Sequence, residues 1–465
     1  MSLIGRAKAI FDGLDIKQLQ EAGIEREDVK ISSHSHHIVT YPPFDALPEI
    51  KPSEIYPDKR TKSSGDVAIY LHLPFCTGRC LYCAYASLPN QPAEYIDRYI
   101  DAVEKEASLL LRHSNLRNMK INSVFIGGGT PTYLSAGQLD KVLGMLRSKF
   151  DIKAGAEVTV EAAPETITCA GGEEKLQTLI QNGINRLSIG FQTFDDNILK
   201  SLGRRHDSRQ AAESYGLARK AGFDNINIDL IMGLPGQTLE IWSNDLERIG
   251  RLGPASVTCY PLSIKQSAGL WWMFQRERQM FPSKENVLIM HIMANEFFSE
   301  LGYGQRPVWW FAKNPGYVYR QQIHKWGEAG ESIALGVSGY SFINGFQYFN
   351  CNTIPRYLEA VENGNLPICR GVKLPEEDLM RRLVLFGLKT GLSKALFKSK
   401  FGKMPKDVFG TVWEKLENLG LVEEDGETVR LSYKGMLFAD EVSREFYSES
   451  VKKAIAMRTG RGPGL

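Results

Sequence analysis

Three cysteines within eight residues are the feature of this sequence most able to do chemistry. Cys76, Cys80 and Cys83 follow a C-x3-C-x2-C spacing in YLHLPFCTGRCLYCAYASLP, with no fourth Cys or His close downstream. A structural zinc site takes four ligands, usually in two C-x2-C halves, so the spacing disfavours zinc. Three cysteines around a [4Fe–4S] cluster leave one iron open to another ligand. The spacing therefore predicts these three residues as the metal ligands of such a cluster and as the catalytic centre.

The elements that position this centre are strand-like runs alternating with helical patterns from Asp66 onward. The runs are VAIYLHL at 67, INSVFIGG at 121, AEVTVEAAP at 156, INRLSIGFQ at 184, FDNINIDLIMGLPGQ at 223 and ASVTCYPLS at 255. Strands alternating with helices indicate a parallel sheet, either doubly wound or a barrel. Functional residues gather at the carboxyl ends of such strands. The cysteines, a GGGTP segment, Glu161, Gln192 and Asp229 all lie at or near those ends.

The cysteine spacing, with Tyr82 before the third cysteine, resembles that of the radical S-adenosylmethionine (SAM) superfamily. Further motifs follow in the order of the HemN-like family, the oxygen-independent coproporphyrinogen III dehydrogenase type, over about residues 66–445. They are YLHLPFC, FIGGGTPTYL, VTVEAAPETI, GINRLSIGFQTF, LGRRH, NINIDLIMGLPGQT and LGVSGYSF. The resemblance implies an α/β fold with a partial (β/α)6 TIM-like barrel. It also implies that SAM binds the open iron and is cleaved reductively to methionine and a 5'-deoxyadenosyl radical.

The resemblance also implies a set of cofactor-binding residues. For the first SAM they are Gly128, Gly129 and Thr130, with Tyr70 and Glu161 nearby. For a second SAM they are Gln192, Arg204 and Asp229. The same pocket is expected to include Gly339 and Tyr340, and Tyr82 is expected either to stack on an adenine or to pack over the cluster.

For several residues, an interpretation that involves no bound ligand or metal stays open. Glu161 would pair with an Arg or Lys if no cationic ligand compensated it, because an unpaired buried carboxylate is costly. Arg204 would belong to a solvated basic loop with Arg205 and His206. The segment 34–37 (HSHH) favours a loop over a metal site. Four further cysteines are isolated in sequence and expected to be inert: Cys169, Cys259, Cys351 and Cys369.

Composition is that of a globular enzyme, with 43% hydrophobic and 24% charged residues and a formal net charge of +2. Nucleic-acid partners usually require a basic excess, which is absent, so we expect no nucleic acid. No run of 18 apolar residues exists, so we expect no membrane span. The cysteine usage favours a reducing, cytoplasmic location. The expected partners are a planar or unsaturated small molecule and a reductant such as flavodoxin or ferredoxin.

Four segments are predicted. They are an N-terminal extension (1–65), the radical SAM partial barrel (66–300), an aromatic-rich substrate-pocket or connector region (301–369) and a HemN-type C-terminal domain (370–465). In the third, tryptophans and tyrosines at 309–326 either pack in the core or wall a pocket for a flat substrate. In the fourth, VEEDGETVRLSYKG is an Asp-Gly hairpin signal after a helix, which resembles a winged-helix-like α+β module with no DNA role.

Three departures from the family bear on the reaction. Tyr85 stands where true coproporphyrinogen dehydrogenases carry a further cysteine, HHIVTYPPF replaces the family's arginine-led turn, and the tryptophan-rich insert is added. They count against porphyrinogen decarboxylation and leave radical generation intact. By resemblance, the Gln192, Arg204 and Asp229 set implies two bound SAM molecules, and the aromatic residues suit a planar acceptor. Together these favour a class C radical SAM methylase or cyclopropanase, which uses a second SAM as one-carbon donor to an unsaturated or aromatic acceptor. The alternatives are coproporphyrinogen III oxidative decarboxylation, anaerobic haem degradation with methyl transfer, and a haem chaperone.

Overall fold

The computed structural model describes residues 1–25, 38–56, 65–114, 116, 119–305 and 307–459. The HSHH segment therefore lies outside the described residues. The described strands are β1 (Val67–Leu73), β2 (Phe75–Cys76), β3 (Leu88–Pro89), β4 (Lys120–Gly128), β5 (Asp151–Ala162), β6 (Arg186–Gln192), β7 (Asn225–Met232), β8 (Ser256–Pro261), β9 (Gly304–Gln305), β10 (Trp310–Ala312), β11 (Glu331–Leu335), β12 (Tyr340–Ile343), β13 (Phe346–Asn350), β14 (Ile368–Lys373), β15 (Leu392–Ser393), β16 (Val422–Glu424) and β17 (Thr428–Leu431).

The described helices lie between and around these strands. They are α1 (Leu3–Asp12), α2 (Ile16–Glu21), α3 (Pro52–Ile55), α4 (Ala93–His113), α5 (Ala136–Lys149), α6 (Pro164–Ile167), α7 (Gly172–Gln181), α8 (Asp196–Ser201), α9 (Ser208–Ala221), α10 (Leu239–Leu252), α11 (Leu270–Arg276), α12 (Lys284–Glu300), α13 (Arg320–Trp326), α14 (Ile354–Glu362), α15 (Glu376–Thr390), α16 (Lys394–Phe401), α17 (Pro405–Asn418), α18 (Tyr433–Leu437), α19 (Ala439–Glu445) and α20 (Glu449–Thr459).

One twelve-stranded sheet organises the molecule, in the order β14-β13-β12-β11-β1-β4-β5-β6-β7-β8-β10-β9. The six predicted strands β1, β4, β5, β6, β7 and β8 are neighbours and run parallel, which confirms the predicted α/β fold. Their near-continuous apolar sequences suit strands covered on both faces. The sequence did not predict β11, a further parallel strand beside β1, or the antiparallel strands that extend both edges.

The C-terminal part contains the predicted hairpin. Strands β16 and β17 pair antiparallel, with Glu424 opposite Val429, and β15 adds a third strand. Helix α15 packs against β15 and β17 and also against α13, so it joins this small sheet to the barrel. A buried ion pair between Lys389 and Asp440, 2.7 Å apart, lies in the same region.

One expectation for residues after 300 was wrong. Cys351 and Cys369 are not isolated, because β13 and β14 bring their Cα atoms within 5.2 Å and they form a disulfide. For the tryptophans at 309, 310 and 326 the structure agrees with the first of the two alternatives, packing in the core. They are buried in the main hydrophobic core, where Trp326 stacks on Phe386 with a ring-centroid distance of 5.4 Å. Burial of such large apolar side chains is the ordinary outcome.

Membrane insertion through a helix finds no support in the described part of the chain. None of its helices combines the length and the apolar character that crossing a bilayer requires. The boundaries of the four predicted segments remain predictions, since strands of the second and third segments share the twelve-stranded sheet.

Candidate functional site

The three cysteines lie on one loop at the carboxyl end of β1. Cys76 ends the short strand β2, which pairs with β3, and the Asn90 amide donates to the Cys76 carbonyl at 3.1 Å. Cys80 and Cys83 follow in a turn closed by a hydrogen bond from the Cys83 amide to the Cys80 carbonyl. We call residues 76–90 the cluster loop. Its backbone pairing fixes where the three thiols stand.

Two predicted cofactor residues contact these thiols directly. The Thr130 hydroxyl lies 3.8 Å from the Cys76 sulfur, and Nη1 of Arg204 lies 3.5 Å from the Cys80 sulfur. The same Nη1 lies 3.4 Å from the Tyr82 hydroxyl. Arg204 therefore belongs to the centre and not to a solvated loop. A guanidinium beside a thiolate-bound cluster would offset part of its negative charge.

The sequence did not mark Glu165, an ionised carboxylate that contacts the cluster loop. Glu165 accepts a hydrogen bond from the Thr77 hydroxyl at 2.8 Å, and its other oxygen lies 3.4 Å from Nδ1 of His206. Burial acts to raise the pKa of Glu165, but the hydrogen bond with His206 and the charge of Arg204 together lower it to about 2. Glu165 thus ties the loop residue Thr77 to the LGRRH segment. The motif VTVEAAPETI contained this residue without marking it.

Two glycines of the GGGTP segment are required by a close approach of two backbones. A Cβ at Gly129 would stand 2.6 Å from the Phe75 carbonyl oxygen, and one at Gly128 would stand 2.5 Å from the His72 ring. Gly128 also has φ +107°, which side chains rarely adopt. The amides of Gly129 and Thr130 donate to carbonyls at the end of β1 and in β2. The segment is therefore fastened to the strand that leads into the cluster loop.

His72 is a second residue that the sequence reasoning missed. It is buried, with Nδ1 3.1 Å from the Tyr70 hydroxyl and Nε2 2.9 Å from the Ala86 carbonyl oxygen. Burial lowers the pKa of His72 to about 4, so the ring is neutral at physiological pH. It links β1 to the far side of the cluster loop. Its place inside an apolar strand was the only signal.

Glu161 has no ion-pair partner among the residues that the structure describes. Its Oε2 accepts a hydrogen bond from the Gly128 amide at 2.9 Å. Burial raises the pKa of Glu161 to about 7, and the nearby Asp229 adds to the shift. The pairing with a neighbouring Arg or Lys, which the sequence left open, is not formed. The carboxylate is thus available to a cationic group that would share the barrel interior.

Asp229 and Gln192 lie on the adjacent strands β7 and β6. Asp229 accepts hydrogen bonds from Ser188 at 3.0 Å and from Asn227 at 2.8 Å, and burial raises its pKa. Gln192 has φ +72° and follows an irregularity in the ladder between β6 and β7. Such a bulge redirects a side chain at the end of a strand. The structure gives Gln192 this special backbone but no contact with the other predicted residues.

Four aromatic rings line the barrel interior in a row. The Tyr70 ring lies 6.1 Å from that of Phe125 and 6.4 Å from that of Tyr340, nearly parallel to both, and Phe125 lies 5.1 Å from Tyr319. We call these four residues the ring row. Tyr70 is close enough to Glu161 for the carboxylate to add to the raised pKa that burial gives the phenol. Tyr70 and Tyr340 are thus brought together as predicted.

Gly339 lies in the turn before Tyr340, and a buried carboxylate holds this turn. Glu106 of α4 accepts hydrogen bonds from the Gly336 amide, the Asn350 side chain and the Tyr357 hydroxyl, at 2.6–2.7 Å. The Gly339 carbonyl accepts from the Asn350 amide at 2.8 Å. Gly339 therefore positions Tyr340 through the backbone. The structure shows no direct contact of Gly339 with the cysteines.

Tyr85, the residue that departs from the family, has an exposed side chain, with 66% of its surface accessible. It is close enough to Glu161 and Cys83 for their charges to act on its phenol. Tyr85 is therefore both accessible and near the groups of the site. Arg186 lies further inside, 1% exposed, with Nε 4.0 Å from Glu157 and its guanidinium 5.1 Å from the Tyr319 ring. No pattern in the sequence marked this interior cation.

The donor set fits an iron–sulfur cluster. Among the described residues no three His, Cys, Asp or Glu side chains are arranged to share a single metal ion. A [4Fe–4S] cluster takes one thiolate on each of three different irons and does not need that arrangement. Cys76, Cys80 and Cys83 carry no disulfide, stand on one loop and have Thr130 and Arg204 beside their sulfurs. These residues would hold the cluster.

Comparisons with known proteins match most of the chain to the family that its motifs resemble. The radical SAM superfamily model matches residues 70–249, and the HemN C-terminal domain model matches residues 374–438. Heme chaperone HemW of Lactococcus lactis is 30% identical over 392 residues, covering 82% of this chain and 97% of the relative. HemW of Bacillus subtilis is 29% identical over 385 residues, covering 82% and 99%.

Coproporphyrinogen oxidases match along a similar length. The oxygen-independent coproporphyrinogen III oxidase of Escherichia coli is 28% identical over 391 residues, covering 80% of this chain and 83% of the relative. The structure of that organism's coproporphyrinogen III oxidase HemN, a radical SAM enzyme, superposes with a TM-score of 0.76 at 25% identity, covering 90% of this chain and 99% of HemN. The chain therefore belongs to the HemN-like family of radical SAM proteins, which use a [4Fe–4S] cluster and SAM.

Proposed function

We propose that this radical SAM enzyme acts on a tetrapyrrole bound in the barrel interior, with its pyrrole rings against aromatic side chains. The observation that carries the proposal is the ring row, which presents aromatic surface beside the cluster loop. Flat unsaturated ligands stack on such rings. The names of the curated relatives, heme chaperone and coproporphyrinogen III oxidase, both refer to tetrapyrroles.

The cluster and SAM, when bound, supply reductive cleavage of SAM to methionine and a 5'-deoxyadenosyl radical. The chain's own residues then hold and orient the reactants. Glu161, which lacks an ion-pair partner in the described chain, would bind a cationic group of SAM. Arg204 would bind a carboxylate, and Asp229 would accept hydrogen bonds from ribose hydroxyls. Gln192 would complete a site for a second SAM, as the family resemblance implies.

The relatives favour tetrapyrrole chemistry over the one-carbon transfer to other acceptors that the sequence favoured. Neither HemW nor the coproporphyrinogen III oxidases are named as methylases or cyclopropanases. One-carbon transfer stays a second candidate because of Tyr85, which stands in place of a cysteine and is exposed near Glu161. It requires the second SAM to act as the donor. The product of that donor would be S-adenosylhomocysteine.

The test uses anaerobic, cluster-loaded protein with SAM, dithionite as reductant and either coproporphyrinogen III or haem. We expect one tetrapyrrole to bind per chain, as measured by absorbance titration for haem and by equilibrium dialysis for the colourless coproporphyrinogen. We also expect 5'-deoxyadenosine to form, as measured by mass spectrometry. Loss of two carboxylates from coproporphyrinogen indicates the oxidase reaction. S-adenosylhomocysteine formed together with deoxyadenosine indicates one-carbon transfer. Cleavage of SAM with no binding of either tetrapyrrole would contradict the proposal.

A further inference from the structure

Two buried cations beside Tyr340 have no acidic partner among the described residues. Arg382 of α15 is 4% exposed, and its Nε forms no hydrogen bond in the described structure. Lys325 of α13 is 5% exposed and donates a hydrogen bond to the Tyr340 hydroxyl at 2.8 Å. The buried Lys389 differs, because it has Asp440 at 2.7 Å. We call Lys325, Tyr340, Phe342 and Arg382 the basic wall.

Aromatic contacts offset only part of the cost of burying these charges. The Arg382 guanidinium lies 3.8 Å from the centre of the Phe342 ring, and Nζ of Lys325 lies 4.4 Å from that of Tyr340. Cation–π contacts are weaker than the desolvation penalty of a buried charge. Burial accordingly lowers the pKa of Arg382 to about 9. An anion bound against these cations would remove part of that penalty.

The basic wall continues the ring row. Tyr340 and Phe342 lie on the same face of β12, since side chains two residues apart in a strand share a face. Tyr340 also stacks on Tyr70, which lies within the influence of Glu161. Lys325 comes from a helix at the amino ends of β1 and β4, where His324 contacts Asn122 at 2.9 Å. Helix α13 therefore approaches the interior from the end opposite to the cluster loop.

We propose that the basic wall binds a carboxylate of the acceptor, whose flat body lies along the ring row with its reacting carbon toward the cluster loop. The planar guanidinium of Arg382 suits a carboxylate, which it can bind through two parallel hydrogen bonds. Lys325 adds a second donor from another helix. This inference rests on the proposed function and adds to it that the acceptor must carry an acidic group. It also makes the C-terminal helix α15 part of the acceptor site.

The test compares two probes with the same macrocycle, coproporphyrin III with its charged carboxylates and its uncharged tetramethyl ester. For the cluster-loaded wild type we expect the acid to bind at least about tenfold more tightly than the ester, as charge-assisted hydrogen bonds require. Arg382→Met and Lys325→Met should each lose most of this preference while binding the ester as before. Arg382→Lys should keep part of it. Lys398→Met, at an exposed lysine of α16, is the matched control and should behave as wild type.

Two further measurements distinguish anion binding by Arg382 from a purely structural role. They also distinguish a failure of this inference from a failure of the proposed function. Because Arg382 is a buried cation without an acidic partner in the described chain, Arg382→Met should leave the melting temperature of the ligand-free protein unchanged or higher. Formation of deoxyadenosine without acceptor should also stay unchanged. A lower melting temperature with equal losses for acid and ester would overturn the inference, as would equal binding of both probes by the wild type. If neither probe binds the wild type, the proposed function and this inference both fall.

Discussion

The two ends of the barrel interior are built on different principles. At the cluster end, the charged groups have described partners or a clear ligand: Glu165 with His206 and Thr77, Arg204 with Cys80, and three thiols on one loop. At the opposite end, Lys325 and Arg382 have aromatic rings and a phenol beside their charges and no acidic partner among the described residues. The first end is organised to hold cofactors common to the family, whereas the second is organised around a ligand of opposite charge. Radical generation and acceptor choice are thus separated in space.

The largest effect among the stability predictions concerns Gly129 at the cluster end. Gly129→Ala places a Cβ against the carbonyl oxygens of Phe75 and Leu73, which cannot move without opening the cluster loop. We expect a loss of about 3 kcal/mol of unfolding free energy, measured by urea denaturation, together with lower iron content. Gly137→Ala is the matched control, since a Cβ there meets nothing within 4 Å in helix α5. The control should be neutral or slightly stabilising.

If Gly129→Ala retains wild-type stability and iron content, the close approach of the two backbones is not what positions the loop. The end of the interior that carries the basic wall should be unaffected by Gly129→Ala. Binding of the ester probe, per chain that retains its cluster, should therefore match that of the wild type. A loss of that binding would show that the two ends are coupled.

The next effect concerns the pH dependence contributed by Glu161. Burial raises the pKa of Glu161 to about 7 from an ordinary value of 4.5, so the fold favours its protonated form. The corresponding stability is present below about pH 4.5 and is lost as the pH rises to about 7. We expect Glu161→Gln, whose Oε1 still accepts from the Gly128 amide, to avoid this loss. Relative to wild type, the variant should gain about 2–3 kcal/mol between pH 4.5 and 7.5.

This gain is measured by urea unfolding of the cluster-free wild type and variant across that pH range. The sign of the change in unfolding free energy with pH, variant relative to wild type, distinguishes an unpaired Glu161 carboxylate from a paired one. A carboxylate in an ion pair would have a depressed pKa, and its removal would destabilise the protein increasingly as the pH rises. That opposite slope would show that Glu161 is paired with a cation in the folded protein.

The smallest effect concerns Tyr85 at the mouth of the interior. Because its side chain is 66% exposed, Tyr85→Phe should change the unfolding free energy by less than about 0.5 kcal/mol. The same variant should alter the affinity for a tetrapyrrole only modestly, because the ring is kept. Tyr85→Ala should weaken tetrapyrrole binding several-fold without affecting stability. Equal affinities of wild type and Tyr85→Ala would show that this residue lies outside the acceptor site.

The sequence predicted the cluster end better than the basic wall, and the reason is physical. Strand β1, the cluster loop and the GGGTP segment are local patterns, in which spacing and apolar runs indicate structure. The contacts of Glu106 with Gly336 and of Tyr70 with Tyr340 join segments more than 200 residues apart. Nothing in the local pattern marks them. Cys351 and Cys369 were judged isolated for the same reason, because the antiparallel pair that joins them was not predicted.

The burial of charged residues that lack an acidic partner in the described structure was the hardest feature to predict from the sequence. Arg382 is one of many basic residues in a helix, and the helical pattern gives no sign that it enters the barrel rather than the solvent. Its position follows from the packing of α15 on α13, a tertiary contact. The same holds for Arg186, whose burial depends on a strand that is covered on both faces. Their charges could therefore be assigned a role only from the structure.

The most direct test of the central claim is formation of 5'-deoxyadenosine by the anaerobic, cluster-loaded protein with SAM and dithionite. We predict that the wild type forms it, that Cys169→Ala forms it equally because Cys169 is exposed and lies outside the cluster loop, and that Cys76→Ala loses it with the cluster absorbance. The loss should exceed about a thousandfold, since no other described residue group can replace the missing thiolate. Deoxyadenosine formation by Cys76→Ala at the wild-type rate, or none by the loaded wild type, would contradict the assignment of radical generation to this loop.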